Sequence, residues 1–278
     1  LLKIASCVFC CESLFSQSVA IASWELNPKS LSNQAFSPTK GEWKAKASIT
    51  PEFLSDDQGR FALQFNHSKQ WLTIHSNISR ENLPVEKWSA TAWVAIDNPQ
   101  PWGGIIGAFE DNGSVERGFL LGFRDNRFCV GVATEENPKL SYLASNKDFR
   151  LGVWYHIAGV YNGKELLLYV DGDLIAKKED ITGNILYAET HQFTLGSYTD
   201  ANENYPMQGA IAKASIYAKA LNGKEISRMA IIGKKILPKI VENSASRQEP
   251  LMEIDELQGK VHNAINKGVE FLLRTQYR

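Results

Sequence analysis

The chain has 278 residues, a formal net charge of −1, 44% hydrophobic residues and 22% charged residues. Such a balanced charge gives no reason to expect nucleic acid or an anionic membrane as a partner. No apolar run approaches the ~20 residues that a transmembrane helix needs. The sequence therefore predicts a soluble globular chain, either one large domain or two modest ones, without a transmembrane segment.

The first 22 residues have the pattern of an export signal. A short positive region precedes an apolar stretch over residues 4–15, and small residues then form cleavage patterns that end at Ala20 and Ala22. Removal of this segment would leave Cys129 as the only cysteine, so we expect stability to come from a core and not from disulfides. We predict a secreted protein, extracellular or periplasmic; the alternative is an N-terminal tail that is retained.

Residues 43–217 consist of short runs in which apolar and polar residues alternate, with turn residues between them. This pattern is typical of strands, and no helical stretch separates one run from the next. It predicts an all-β, antiparallel sandwich or barrel. The residues that alternate onto one face of the run at 88–96 are Trp88, Ala90, Ala92, Val94 and Ile96. The turns expected between later runs are at Asp125-Asn126, Asn162-Gly163 and Asp171-Gly172.

The pattern changes after Tyr217. A short helix is predicted to begin near Asn222, which is a favourable capping residue. Polar residues over 236–251 indicate a linker, and residues 252–278 have the spacing of an amphipathic helix. The predicted organisation is a signal peptide (1–22), a sandwich (23–235), a linker (236–251) and a C-terminal helical extension (252–278).

Four segments in order resemble the laminin-G-like, concanavalin A-like jelly-roll superfamily. They are Gly-Arg-Phe-Ala-Leu-Gln-Phe (59–65), Trp-Ser-Ala-Thr-Ala-Trp-Val (88–94), Trp-Tyr-His-Ile-Ala-Gly-Val-Tyr (154–161) and Leu-Tyr-Val-Asp-Gly (168–172). The resemblance covers residues 24–232 and implies a two-sheet jelly-roll sandwich that binds ligands through rim loops. The family often has an acidic pair where this sequence has Ala212 and Lys213, so the role of that pair is in doubt here.

The C-terminal helix resembles the first helix of the α/α-toroid domains of prenyltransferases and squalene cyclases. The similar segment is residues 261–276, with Ala264, Ile265, Gly268, Leu272 and Gln276 at the matching positions. It implies an alternative in which the sandwich is an accessory domain of a larger protein with a C-terminal enzyme-like domain.

No catalytic constellation stands out in the sequence. The histidines are scattered, without metal-binding spacing. Glu253 and Asp255 resemble the Glu-x-Asp core of β-glucanases, but they lie beside a helical stretch, where two carboxylates would not face one cleft from a single strand. We therefore predict that the chain is not an enzyme, and keep a glycoside hydrolase on the same fold as a weaker alternative.

Two polar loops carry the most promising binding chemistry. A sugar site needs an aromatic platform and fixed polar groups, which Trp102, Tyr198, Tyr205 and Asn202 can supply. Calcium needs six to eight oxygen ligands, and the candidate donors are Asp111, Asn112, Asp200 and Glu203. These residues predict a secreted recognition module that binds carbohydrate or a surface protein, with calcium as a candidate cofactor.

Overall fold

The computed structural model describes residues 20–113, 115–200 and 202–240, which belong to a compact unit ending at Ile240. The strands are β1 (Ala22–Glu25), β2 (Leu31–Ser32), β3 (Ala35–Phe36), β4 (Ala45–Ala47), β5 (Glu52–Ser55), β6 (Phe61–Phe65), β7 (Leu72–Ser79), β8 (Trp88–Asn98), β9 (Gln100–Asp111), β10 (Glu116–Asp125), β11 (Arg127–Val132), β12 (Ser141–Ala144), β13 (Trp154–Tyr161), β14 (Glu165–Val170), β15 (Asp173–Glu179), β16 (Thr190–Leu195), β17 (Ser197–Thr199), β18 (Asn204–Pro206) and β19 (Gln208–Tyr217). Helix α1 spans Gly223–Gly233, and short 3-10 helices span Pro28–Ser30, Arg80–Asn82 and Lys234–Ile236.

Two antiparallel sheets form the sandwich. The first has the order β15-β14-β13-β8-β19-β6-β5, with β1 also paired to β19. The second has the order β12-β11-β10-β9-β16-β7-β4-β3-β2, and β17 and β18 form a separate hairpin. The predicted all-β, two-sheet antiparallel sandwich is confirmed.

Alternating apolar side chains build the core between the sheets. The five residues predicted to share one face of β8 all lie in this core, together with Phe119 of the opposite sheet. The rings of Trp88 and Phe119 are fully buried, with centroids 4.6 Å apart. Complete burial of one such side chain contributes about 2–3 kcal/mol, so contacts of this kind fix the two sheets face to face.

The turns follow the predicted chemistry with one shift. Asp125 and Asp171 adopt positive φ angles, and Asp171-Gly172 forms a two-residue turn between β14 and β15. The Asn162-Gly163 turn is centred one residue later than expected. The Asn162 Oδ1 accepts hydrogen bonds from the backbone N–H groups of Lys164 and Glu165. Asn162 is therefore the first residue of the turn, and its side chain stabilises the turn.

Two parts of the fold extend beyond the predicted sandwich. Strand β1 begins at Ala22, one of the two candidate cleavage positions, and pairs with β19. At the other end, Leu237 and Pro238 are buried, and the Trp154 indole N–H donates to the Pro238 carbonyl at 2.9 Å. The packed region therefore includes residues that the sequence pattern assigns to a linker.

Helix α1 begins as predicted. The Asn222 side chain accepts from the Glu225 backbone N–H at 3.0 Å, and the Glu225 carboxylate accepts from the Asn222 N–H in return. This reciprocal cap satisfies two N–H groups of the first turn. Most of the predicted signal peptide (1–19) and all of the predicted C-terminal helix (252–278) lie outside the described residues. Within them, no helix is long and apolar enough to cross a membrane.

Stability should fall on acidification because two buried histidines are held neutral. Burial, followed by the positive charge of Lys213, lowers the pKa of His156 from 6.5 to about 4. Burial also lowers the pKa of His191 to about 4. A backbone hydrogen bond opposes this shift, and the positive charge of Arg117 adds to it. The unfolded chain therefore binds more protons between pH 6.5 and 4. The free energy of unfolding should drop by about 2–3 kcal/mol per histidine between pH 7 and 4.5.

Urea denaturation across this pH range measures the effect. His156→Gln removes one titrating group. The loss of unfolding free energy between pH 7 and 4.5 should therefore be smaller in this variant by the contribution of one histidine, about 2–3 kcal/mol. A wild-type profile that stays level from pH 7 to 4.5 would contradict the account.

Candidate functional site

On the outer face of the nine-stranded sheet, three neighbouring positions are glycines, against which other elements pack closely. Gly104 pairs with Gly122, and Gly131 lies on β11, the next strand. A Cβ on Gly104 would lie 2.1 Å from the Ser197 carbonyl oxygen, and one on Gly131 would lie 2.9 Å from the Tyr142 ring. The glycines therefore allow the β17–β18 hairpin and the Tyr142 ring to pack directly against the sheet.

Five aromatic side chains contact one another beside these glycines, and we call them the aromatic cluster: Trp102, Phe109, Tyr142, Tyr198 and Tyr205. The Trp102 ring centroid lies 5.0 Å from that of Tyr142 and 5.4 Å from that of Tyr198. Tyr198 also lies 4.6 Å from Phe109 and 6.1 Å from Tyr205. Tyr198 is therefore the centre of a continuous set of ring contacts at spacings that favour offset or tilted packing.

Asp111 holds the centre of the cluster in place. Its Oδ2 accepts hydrogen bonds from the hydroxyls of Tyr198, at 2.6 Å, and Tyr142, at 2.8 Å. Burial is the first cause that raises the pKa of both tyrosines, and the neighbouring carboxylate raises them further. Both phenols remain protonated donors, and charge-assisted bonds of this kind are stronger than neutral ones.

Asp200 joins the two predicted binding loops. Its Oδ2 accepts from the Asp111 backbone N–H at 3.1 Å, so the two carboxylates belong to one network. Its Oδ1 accepts from the backbone N–H groups of Asn202, at 3.0 Å, and Glu203, at 2.8 Å. This one buried side chain fixes both the shape of the hairpin tip and its position beside β9.

The structure brings the predicted sugar-binding residues together, but not in equivalent roles. Tyr198 is only 1% exposed, so its ring cannot be an open platform for a ligand, and it acts as a packing and positioning residue. Tyr205 is 42% exposed and Trp102 is half-buried. Asn202 is exposed at the hairpin tip. Tyr205 is thus the most accessible ring of the aromatic cluster.

The predicted calcium ligands are close in the fold but already engaged. Asp111 and Asp200 accept the hydrogen bonds described above, and the Asn112 Oδ1 accepts from the Val115 N–H at 2.9 Å. The negative charge of Glu203 lies close to the Tyr205 hydroxyl and is the first cause that raises the pKa of that phenol. In the described residues, no group of three or more His, Cys, Asp or Glu side chains is placed to hold a metal ion. Calcium needs six to eight oxygens directed at one point, so these four residues alone do not complete a site, and calcium binding stays a prediction.

Sequence reasoning missed three members of the site. Phe109 lies on β9, whose Pro-Trp-Gly-Gly segment obscures the strand pattern, and Tyr142 lies on the short strand β12. Arg124, at the end of β10, places its guanidinium carbon 4.7 Å from the Trp102 ring centroid. The one available signal was Gly122, an unusual residue within an apolar strand; nothing in the local sequence indicates the role of Arg124.

The fold defines a jelly-roll β-sandwich with an aromatic site on the outer face of one sheet. A family model described as the concanavalin A-like lectin/glucanases superfamily matches residues 66–227. The chain belongs to this family, as its sequence motifs imply. The family description includes both binding proteins and enzymes, so membership does not decide between them.

The known proteins that the chain resembles are distant. Pappalysin-1 of Mus musculus is 22% identical over 176 residues, which are 59% of this chain and 11% of that protein. The chain therefore spans about a tenth of this curated relative. Domain 4 of the GH43 extracellular arabinanase AbnA from Geobacillus stearothermophilus, solved with arabinotriose, has a TM-score of 0.58 at 13% identity. That match covers 77% of this chain and 99% of the domain.

A toxin domain shows the same fold. The binding domain of Paraclostridial Mosquitocidal Protein 1 has a TM-score of 0.57 at 14% identity, over 76% of this chain and 52% of that one. At these identities the structural matches establish the fold alone.

The Asp111 network predicts a measurable difference between two tyrosines of the cluster. Tyr198→Phe removes a buried hydroxyl donor and should lower the free energy of unfolding by about 1–3 kcal/mol. Tyr205→Phe changes an exposed ring and should stay within about 0.5 kcal/mol of wild type. Urea denaturation measures both; equal values for the two variants would show that the network does not stabilise the cluster.

Proposed function

We propose that this chain is a non-catalytic, extracellular recognition domain that binds carbohydrate at the aromatic cluster. The observation that carries the proposal is the exposed Tyr205 ring, which packs against the buried Tyr198 ring that Asp111 anchors. A fixed aromatic ring can stack on the apolar face of a sugar and loses little conformational freedom when it does so.

A polar partner near the ring is the second requirement of a sugar site. Asn202 and Asn204 are exposed on the same hairpin as Tyr205. Asn204 Oδ1 accepts from the hydroxyls of Ser197, at 2.7 Å, and Thr199, at 3.1 Å, which places its side chain on the face of the hairpin opposite Tyr205. Asn202, at the hairpin tip, is therefore the candidate polar group of the site. A few placed polar groups beside an aromatic platform give orientation and specificity.

The comparisons support this proposal without identifying a ligand. AbnA domain 4, a structure in complex with arabinotriose, shares the fold. The matching superfamily includes lectins, and the sequence relative pappalysin-1 together with the predicted export signal supports an extracellular location. The candidate hydrolase residues Glu253 and Asp255 lie outside the described residues, so the hydrolase alternative stays a prediction.

A protein ligand is the second candidate, and a different surface favours it. Ile231 and Ile232 of α1 are 68% and 53% exposed, and Leu174 of β15 is 49% exposed. Exposed apolar side chains grouped on one surface are typical of protein contacts. In this alternative the sandwich would be an accessory domain of a longer protein and would engage a partner through α1.

A glycan array of neutral and acidic oligosaccharides, probed with the full chain, tests the proposal. Tyr205→Ala should weaken binding to any positive glycan at least tenfold, a loss of about 1.4 kcal/mol. The matched control is Leu174→Ala, which removes a similarly exposed apolar side chain from the other sheet and should bind like wild type.

Further arms of the same experiment separate the alternatives. Binding that is unchanged by chelator supports a site without calcium, whereas loss with chelator would restore the metal prediction. No glycan binding by folded wild-type protein would overturn the proposal and favour a protein ligand. Hydrolysis of a bound glycan would contradict the non-catalytic assignment.

A further inference from the structure

Arg124 adds a positive charge to the aromatic cluster beside Trp102. Its guanidinium carbon lies 4.7 Å from the Trp102 ring centroid, and the residue is exposed at the end of β10. Trp102 is itself fixed by contacts with Tyr142 and Tyr198. The contact with a fixed tryptophan ring therefore restricts the Arg124 side chain more than solvent alone would.

The charge of Arg124 is not neutralised within the described part of the chain. Its neighbour across the β10–β11 turn is Arg127, which forms an ion pair with Asp148 at 2.9 Å. No described carboxylate lies within ion-pair distance of Arg124. The cluster's own carboxylate, Asp111, is engaged by the two tyrosine hydroxyls.

The chemistry of this arrangement selects one class of ligand. A guanidinium stacked on an indole keeps its N–H groups directed outward from its edges, and its planar fork matches the two oxygens of a carboxylate or sulfate. Stacking also restricts the side chain before binding, so less entropy is lost when the anion arrives. A neutral sugar would leave these donors without a charged partner.

We propose that the ligand of the aromatic cluster is an acidic oligosaccharide. Its carboxylate or sulfate binds the Arg124 guanidinium, and a sugar ring along the same chain stacks on Tyr205. Arg124 lies over Trp102, and the Tyr198 ring lies between Trp102 and Tyr205. A ligand that contacts both Arg124 and Tyr205 must therefore contain several linked sugars. This inference rests on the proposed carbohydrate-binding function and adds the charge of the ligand.

The test uses the full chain and matched glycan pairs: oligogalacturonate with its methyl ester, and a heparin-derived oligosaccharide with its desulfated form. We expect the acidic member of at least one pair to bind tenfold or more tightly than its neutral counterpart at low salt. The first pair reports a carboxylate ligand and the second a sulfate ligand. Arg124→Gln should abolish the difference within the pair that binds.

Arg127→Gln is the matched control, because it removes an equal charge from the directly opposing position. It should change the affinities less than twofold. Equal binding of acidic and neutral glycans, with Arg124→Gln unchanged, would overturn the acidic ligand and leave carbohydrate binding intact. An equal effect of both arginine variants would assign the preference to general surface charge and would also overturn the inference. No binding of any glycan would remove the proposed function itself.

Discussion

The hydroxyls of the buried Tyr198 and the partly buried Tyr142 donate to one oxygen of Asp111, and the candidate site depends on this interaction. Without it, Tyr142 and Tyr198 would each leave a polar hydroxyl without its partner inside an apolar cluster, at a cost of about 1–3 kcal/mol per group. With it, both rings are held against a sheet whose glycines leave room for them. Trp102 and Tyr205 are then positioned through ring contacts with fixed neighbours.

The same interaction joins parts of the chain that are distant in sequence. Asp111 ends β9, Tyr142 lies on β12 and Tyr198 on β17, and Asp200 connects the last of these back to the Asp111 backbone. The site is therefore a product of the sandwich, which aligns these strands on one face. In the proposed function, the exposed ring of Tyr205 stacks on a sugar and the exposed Arg124 supplies the positive charge.

Much of the fold could be predicted from the sequence because apolar residues recur at every second position of its strands and lie in the core between the sheets. The β8 row from Trp88 to Ile96 and the Asp171-Gly172 turn follow local rules that need no tertiary information. Strand β9 was missed because glycines replace the apolar residues on its outer face, where another element packs. Strand β1 was missed because its apolar residues follow directly on a segment that resembles an export signal.

The site was only partly predictable. The loops that contain Asp111 and Tyr198 stand out by composition, but composition does not show which rings are buried. Tyr198 and Tyr205 look equivalent in the sequence, yet one is 1% exposed and the other 42%. Arg124 carries no local signal, since its role comes from a tryptophan on the neighbouring strand.

A crystal structure of the full chain with a glycan that binds on the array tests the central claim most directly. The account predicts a sugar ring against Tyr205, with the glycan extending over Trp102 toward Arg124. A glycan bound elsewhere on the sandwich, with the aromatic cluster open to solvent, would contradict it.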